Sequence, residues 1–172
     1  MIDTLHPPGL KRLLACLVYE SLLLLALVLA VSALFTVPMV KLGNPFWLRY
    51  LEQVALLAAL FVYFGLSWVH GGQTVAMKAW RLQLSRADGV PMSWGQAAFR
   101  FFVALLLIVG VPIAAYLGMG ARDPHTARLA LLWCVVPFVW RLFDPQRQTL
   151  HDRLCGTRLF LRPRTPKPPP SP

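Results

Sequence analysis

A run of 25 residues from Leu13 to Val37 contains one formally charged side chain, Glu20, and this run constrains the chain more than any other feature. A helix needs about 20 mainly apolar residues to cross the hydrocarbon of a bilayer, so this segment is long enough to span it. Lys11 and Arg12 precede the run as the basic flank of a signal sequence would, but no small-residue cleavage site follows. The segment therefore reads as a retained transmembrane helix. At 57% hydrophobic and 14% charged residues, the chain has too little polar material to cover a water-soluble globule of its size.

Further spans follow the same arithmetic. Pro38, Gly43, Asn44 and Pro45 mark a short loop, and residues 47–69 form a second span with Arg49 and Glu52 confined to its first turns. Trp47 and Tyr50 suit the interface there. Gly71 and Gly72 end that helix, and Asp88-Gly89 signals a turn in the polar stretch that follows. Ser93-Trp94-Gly95-Gln96 has the form of a capping box, so a helix is expected to begin near Ser93 and to span the bilayer over about 97–117. A fourth span over 127–143 is shorter, because Arg128 and Arg141 bracket its apolar centre and their stems must snorkel.

Charge asymmetry favours four spans. With the N-terminus inside, four crossings leave Lys11, Arg12, Lys78, Arg81, Arg86, Arg100, Arg141, Arg147, Arg153, Arg158, Arg162, Arg164 and Lys167 in the cytoplasm. Only Lys41, Arg49, Arg122 and Arg128 lie outside, a split of 13 to 4 among the 17 basic residues, whereas three crossings divide them 6 to 11. Positive residues are retained on the cytoplasmic side, so an all-α membrane protein is expected, a bundle of four transmembrane helices with both termini in the cytoplasm. The formal charge of +10 fits anionic lipid headgroups, not nucleic acid, because the basic residues flank apolar runs instead of forming a recognition patch. Residues 163–172 form a proline-rich basic tail with nothing to bury, expected to be disordered.

Two segments beside the bundle alternate in polarity. Arg81–Ser85 and Thr157–Leu161 are expected to pair as a short two-stranded ribbon at the membrane surface. Small residues at helical spacing, Ala26, Ala30 and Ala33, Ala55 and Ala59, and Gly110, Ala114 and Gly118, permit close helix contacts within one chain, in a homo-oligomer or with a membrane partner protein. Cys16 and Cys134 lie in apolar segments and behave as small hydrophobes.

Ionisable groups in or beside the spans are the candidate functional residues. Glu20 requires a partner, because a charge within a span costs at least ~2.5 kcal/mol on insertion scales. Arg12 is eight positions away and out of reach along the same helix, so Arg100 and Arg141 are the expected partners. Asp144, His151 and Asp152 follow the fourth span among Arg147, Arg153 and Arg158, and a salt-bridged cap on the helix exit accounts for them better than a catalytic pair. No nucleophile motif accompanies His151, the four histidines lack ligand spacing, and phosphate-binding or dinucleotide fingerprints are missing. No enzyme activity, metal or cofactor is therefore expected.

These residues resemble the RDD family. Arg12, Ala15 and Tyr19-Glu20 are similar to its first-helix pattern, Gly71-Gly72-Gln73-Thr74 with Met77 to Leu82 to its middle segment, and Arg100 to the basic residue opening its next helix. Phe143-Asp144 and Gln148 to Thr157 resemble its closing H-D-x-x-x-G-T signature. Glu20 stands where the family usually has aspartate, and Ala76 replaces a common glycine. The resemblance implies a multi-pass bacterial inner-membrane protein, with transport proposed for the family and cation/proton exchange suggested for some members. The charge network Arg12, Glu20, Arg100, Arg141, Asp144, His151 and Asp152 is where function is expected to reside.

For four spans, Lys78→Cys and Arg164→Cys react with a membrane-impermeant thiol reagent from the cytoplasmic side, and Lys41→Cys reacts from the other; labelling of Lys78→Cys and Arg164→Cys from opposite sides refutes that topology.

Overall fold

The computed structural model describes residues 7–118, 124–133 and 136–162. Cys134, Arg122 and the tail 163–172 lie outside the described residues. Helix α1 runs Leu10–Lys41, α2 Phe46–Val69 and the short α3 Val75–Ala79, before strand β1 at Leu82–Arg86. Helix α4, Trp94–Leu105, continues through a π turn, Leu106–Gly110, into α5, Val111–Gly118. Helices α6, Pro124–Trp133, α7, Val136–Val139, and α8, Leu150–Leu154, precede strand β2, Thr157–Leu161.

Three helices among the described residues are long and apolar enough to cross a membrane: Leu10–Lys41, Phe46–Val69 and the continuous Trp94–Gly118. Each begins within a few residues of its expected position. Within the fourth expected span the described residues form α6, α7, which carries Pro137, and a 3-10 turn, Trp140–Leu142. Within the third span, the π turn has a local cause. Pro112 lacks an N–H and its ring crowds the carbonyl four residues earlier, so the helix widens just ahead of it. The indole N–H of Trp133 donates to the Leu107 carbonyl at 3.1 Å, which ties α6 to this widened turn.

Local signals set the ends of the elements. Gly43 and Asn44 both take positive φ after α1, and the Asn44 side chain accepts from Arg49 Nε at 2.7 Å. Ser93 caps α4, its hydroxyl accepting from the Gln96 amide at 3.3 Å. The expected reciprocal half of that capping box is absent, because the Gln96 side chain donates to the Cys155 carbonyl at 3.3 Å and so joins α4 to the end of α8.

The ribbon forms as expected, shifted by one residue: β1 and β2 are antiparallel, with Leu82 opposite Leu161 and Arg86 opposite Thr157. Side chains on alternate residues point to one face, which places Leu82, Leu84 and Thr157 inward, all buried. Two apolar clusters lie beneath it. Cys16, Ala76 and Leu82 gather against α1, while Trp68, Leu84, Met92, Ala97 and Phe101 gather between α2 and α4. A two-stranded ribbon is marginal by itself, and these clusters supply its support.

Tight packing is therefore concentrated at the ribbon end of the bundle. The buried residues of the 32-residue α1 are Leu13, Cys16 and Glu20, all in its first third. Ala26, Ala30 and Ala33 are exposed, so among the described residues this small-residue stripe is not the seam between α1 and its neighbours. In water such a surface would be untenable; in a bilayer, lipid tails cover it without cost.

Gly72 is the backbone position on which the ribbon's seating depends. It has φ +63°, its carbonyl accepts from the Leu84 amide at 2.8 Å, and a Cβ there would stand 2.3 Å from the Leu84 carbonyl oxygen. Gly72→Ala is expected to destabilise the fold by at least ~1–3 kcal/mol from backbone strain alone, with faster tryptic cleavage at Arg81 and Arg86 than in wild type; unchanged cleavage and melting contradict this seating.

Candidate functional site

The ribbon end gathers nearly all the buried polar side chains, in two groups. The first is built on Glu20, one turn beyond Cys16 on α1 and 9% exposed. Its carboxylate accepts from the Tyr63 hydroxyl on α2 at 2.7 Å and from the Thr74 hydroxyl at the start of α3. Thr74 is placed to donate because it is the N-cap of α3, its oxygen accepting from the Met77 amide at 3.2 Å. Next to it, the Gln73 carboxamide donates to the Leu82 carbonyl at 2.6 Å and fastens the turn to β1. Glu20 thus joins α1, α2 and the α2–α3 turn.

This overturns the expected pairing of Glu20 with Arg100 or Arg141. Both arginines are buried, but each is committed elsewhere. Arg100 faces α8 and β2, and Arg141 donates to the Pro8 carbonyl at 2.5 Å, holding the residues ahead of α1 against the end of the α7 region. Two hydroxyl donors, invisible to a search for opposite charge, solve the Glu20 problem instead.

The second group is built on Asp152, 3% exposed. Arg100 Nη1 donates to its Oδ1 at 2.5 Å and to the Thr157 hydroxyl at 2.5 Å. The Thr149 hydroxyl donates to its Oδ2 at 2.5 Å. The Arg100 guanidinium also lies 5.0 Å from the centroid of the Trp68 ring, a cation–π distance. Burial alone would raise the Asp152 carboxyl, but the Arg100 charge and these hydrogen bonds outweigh it and hold the group at about 2. One buried pair thereby links α4, α8, the turn before α8 and β2.

Asp144 forms the neighbouring cap. Its Oδ2 accepts from the Gln146 and Gln148 amides at 3.1 and 3.0 Å, and its Oδ1 from Arg153. The Gln148 amide, followed by Arg153, holds its carboxyl below the usual range. The expected salt-bridged cap is present.

His151 stands beside this group without being an ion-pair partner in neutral solution. Its Nε2 lies 3.9 Å from Asp152 Oδ1, within ion-pair range only if the ring is charged. Burial pushes its pKa down to about 4, against the attraction of Asp152, so the ring is neutral. Since the Thr149 proton goes to Asp152, the contact of 3.2 Å between Thr149 Oγ1 and His151 Nε2 assigns the ring proton to Nε2. Nδ1 is then a buried acceptor without a hydrogen-bond partner among the described residues.

Arg12 does not join either group; it is exposed and forms no hydrogen bond or ion pair with the described residues. Sequence reasoning missed Tyr63, Gln73, Thr74, Thr149 and Thr157. The three threonines lie inside the quoted family segments, and their position in those segments was the available signal. Among the described residues no cluster of three or more His, Cys, Asp or Glu side chains could hold a metal ion. A model of the family described as "RDD family" matches residues 7–156, most of the chain. No curated protein and no solved structure matches it.

The pH dependence follows from two depressed pKa values. Unfolded His151 takes up a proton near pH 6.5 but folded His151 only near 4, so stability is complete above 6.5 and declines as pH falls between them. Asp152 adds a second loss from about pH 4 towards 2, as its folded carboxylate resists a proton that the unfolded one accepts. The melting temperature in mild detergent should fall below pH 6.5, and His151→Gln should flatten the segment from 6.5 to 4; an unaltered slope in that variant refutes the assignment.

Proposed function

For a chain that belongs to the RDD family and carries three membrane-spanning helices beneath a charge-locked cap, we propose the role of a non-catalytic membrane accessory module that docks a partner within the bilayer. In this reading the chain resides in the bacterial inner membrane, crosses it a fourth time through α6 and α7, and keeps both termini and the ribbon in the cytoplasm.

The observation that carries the reading is the internal commitment of the buried ionisable side chains. Glu20 is held by Tyr63 and Thr74, Asp152 by Arg100 and Thr149, Asp144 by Arg153 and two amides, and Arg141 by Pro8. Groups used as fasteners are poor carriers, since releasing a buried pair costs ~3–5 kcal/mol. Meanwhile α1 beyond Glu20 offers an uncovered apolar surface that carries Ala26, Ala30 and Ala33, the small residues that favour close helix approach.

A second reading, proton or cation exchange by a transporter component, has one specific observation in its favour: among the described residues the hydrogen-bond partners of Glu20 are hydroxyls and include no cation. A carboxylate of that kind can exchange a proton or cation when Tyr63 or Thr74 turns away.

One pair of measurements separates the readings. Extracted with surrounding lipid, the accessory module migrates as an assembly larger than one chain, and Ala26→Leu/Ala30→Leu releases it while the chain stays inserted; purified protein in liposomes passes no proton, sodium or potassium flux. Flux that Glu20→Gln abolishes establishes the transport reading and overturns the first.

A further inference from the structure

A cavity of about 550 Å³ opens between the start of α1 and the outer end of the ribbon, lined by Gly9, Lys11, Arg12, Ala15, Trp80 and Leu161. It lies outside both polar groups described above. Lys11, Arg12 and Ala15 share one stripe of α1 by their helical spacing, and Trp80 and Leu161 face them from the ends of α3 and β2.

Its electrostatics are unbalanced. Lys11 and Arg12 occupy the first turn of α1, where unsatisfied amides already concentrate positive charge. No acidic residue lies in that turn, and the N-cap, Gly9, provides no side-chain oxygen. Both cations are exposed, and the ion pairs among the described residues are formed by other side chains. Such an arrangement opposes helix formation unless an anion sits against it.

The walls identify the anion's class. Ala15, Trp80, Leu161 and the aliphatic stems of the two cations form an apolar lining, with the charged heads at its mouth. A free phosphate gains nothing from such walls, and neither does a nucleic-acid backbone. An amphiphile matches both parts. The depth agrees, since the apolar span of α1 begins at Leu13, and an indole half exposed at this level suits the headgroup boundary. Arg81, nearby, is occupied by the Arg162 carbonyl, which leaves recognition to Lys11 and Arg12.

We infer that this groove seats one anionic glycerophospholipid, its phosphate held by Lys11 and Arg12 and the start of an acyl chain lying along Ala15, Trp80 and Leu161. Arg12 contributes a planar fork of donors and Lys11 a mobile point charge, a combination that grips phosphate without fixing the rest of the headgroup. The site is independent of whichever partner or solute the protein serves. It also gives Arg12, idle in the charge network, a role.

The test uses the full chain in mild detergent with mixed phosphatidylglycerol and phosphatidylcholine, counting retained lipids by native mass spectrometry. One phosphatidylglycerol per chain is expected in preference to phosphatidylcholine. Lys11→Gln or Arg12→Gln should each lower its retention about fivefold, and both together about thirtyfold, whereas Lys41→Gln/Arg49→Gln, at the end of α1 and the start of α2, should not. Soluble glycerol phosphate should fail to compete. Independently of the charge variants, phosphatidylglycerol with brominated chains should quench wild-type tryptophan fluorescence more than that of Trp80→Phe. Equal retention of the two lipids, an unaffected double variant, competition by glycerol phosphate, or quenching unchanged by Trp80→Phe overturns the proposal.

Discussion

Arg100 and Asp152 form the contact on which the rest of the ribbon end depends. A guanidinium and a carboxylate removed from water lose several kcal/mol of solvation each, and the loss is offset only where geometry is close and the remaining donors and acceptors are filled. Here Thr149 and Thr157 fill the carboxylate's shell and Trp68 covers the guanidinium, while Arg100 Nε is a buried donor without a hydrogen-bond partner among the described residues. Deleting either partner leaves a lone buried charge. The same contact sets the position of β2 relative to α4, and through the ribbon that of β1 and Gly72.

A membrane protein cannot rely on lipid-facing apolar surface to hold its helices together, because lipid tails are as apolar as leucine. This chain answers with polar fasteners where its spans meet water. Glu20 gathers α1, α2 and α3, Arg141 secures the residues ahead of α1, and the Asp152 group secures α4 and the ribbon. The apolar clusters under the ribbon then pack against an arrangement that hydrogen bonds have already fixed.

Much of this was legible in the residues. The positions of the first three spans follow from apolar length, the start of α4 from Ser93, and the ribbon, to within one residue, from alternation in Arg81–Ser85 and Thr157–Leu161. The cap formed by Asp144 and Arg153 follows from charge density after the fourth expected span, whereas the pairing of Asp152 with Arg100 does not, since Arg100 was expected at Glu20. Pairings across the bundle were not legible. Glu20 looked for a cation because charge is what sequence displays, whereas Tyr63 and Thr74 are hydroxyls whose proximity depends on how α2 and α3 fold back on α1. Likewise, nothing in the spacing of Arg141 points to a backbone carbonyl at Pro8. The π turn ahead of Pro112 was also missed, since proline alone does not say whether a helix kinks, ends or widens.

The ribbon has a consequence for biogenesis. Arg86 and its opposite number Thr157 are separated in the sequence by the third apolar span, Trp94–Gly118, and by helices α6 to α8, so the first strand leaves the ribosome long before its mate is made. At ~5–20 residues per second that delay is on the order of several seconds, during which an unpaired edge and the two leucines beneath it remain open to wrong associations. Synthesis of β2 is then the event that closes the molecule, and truncation ahead of Thr157 yields a protein that is inserted yet never sealed.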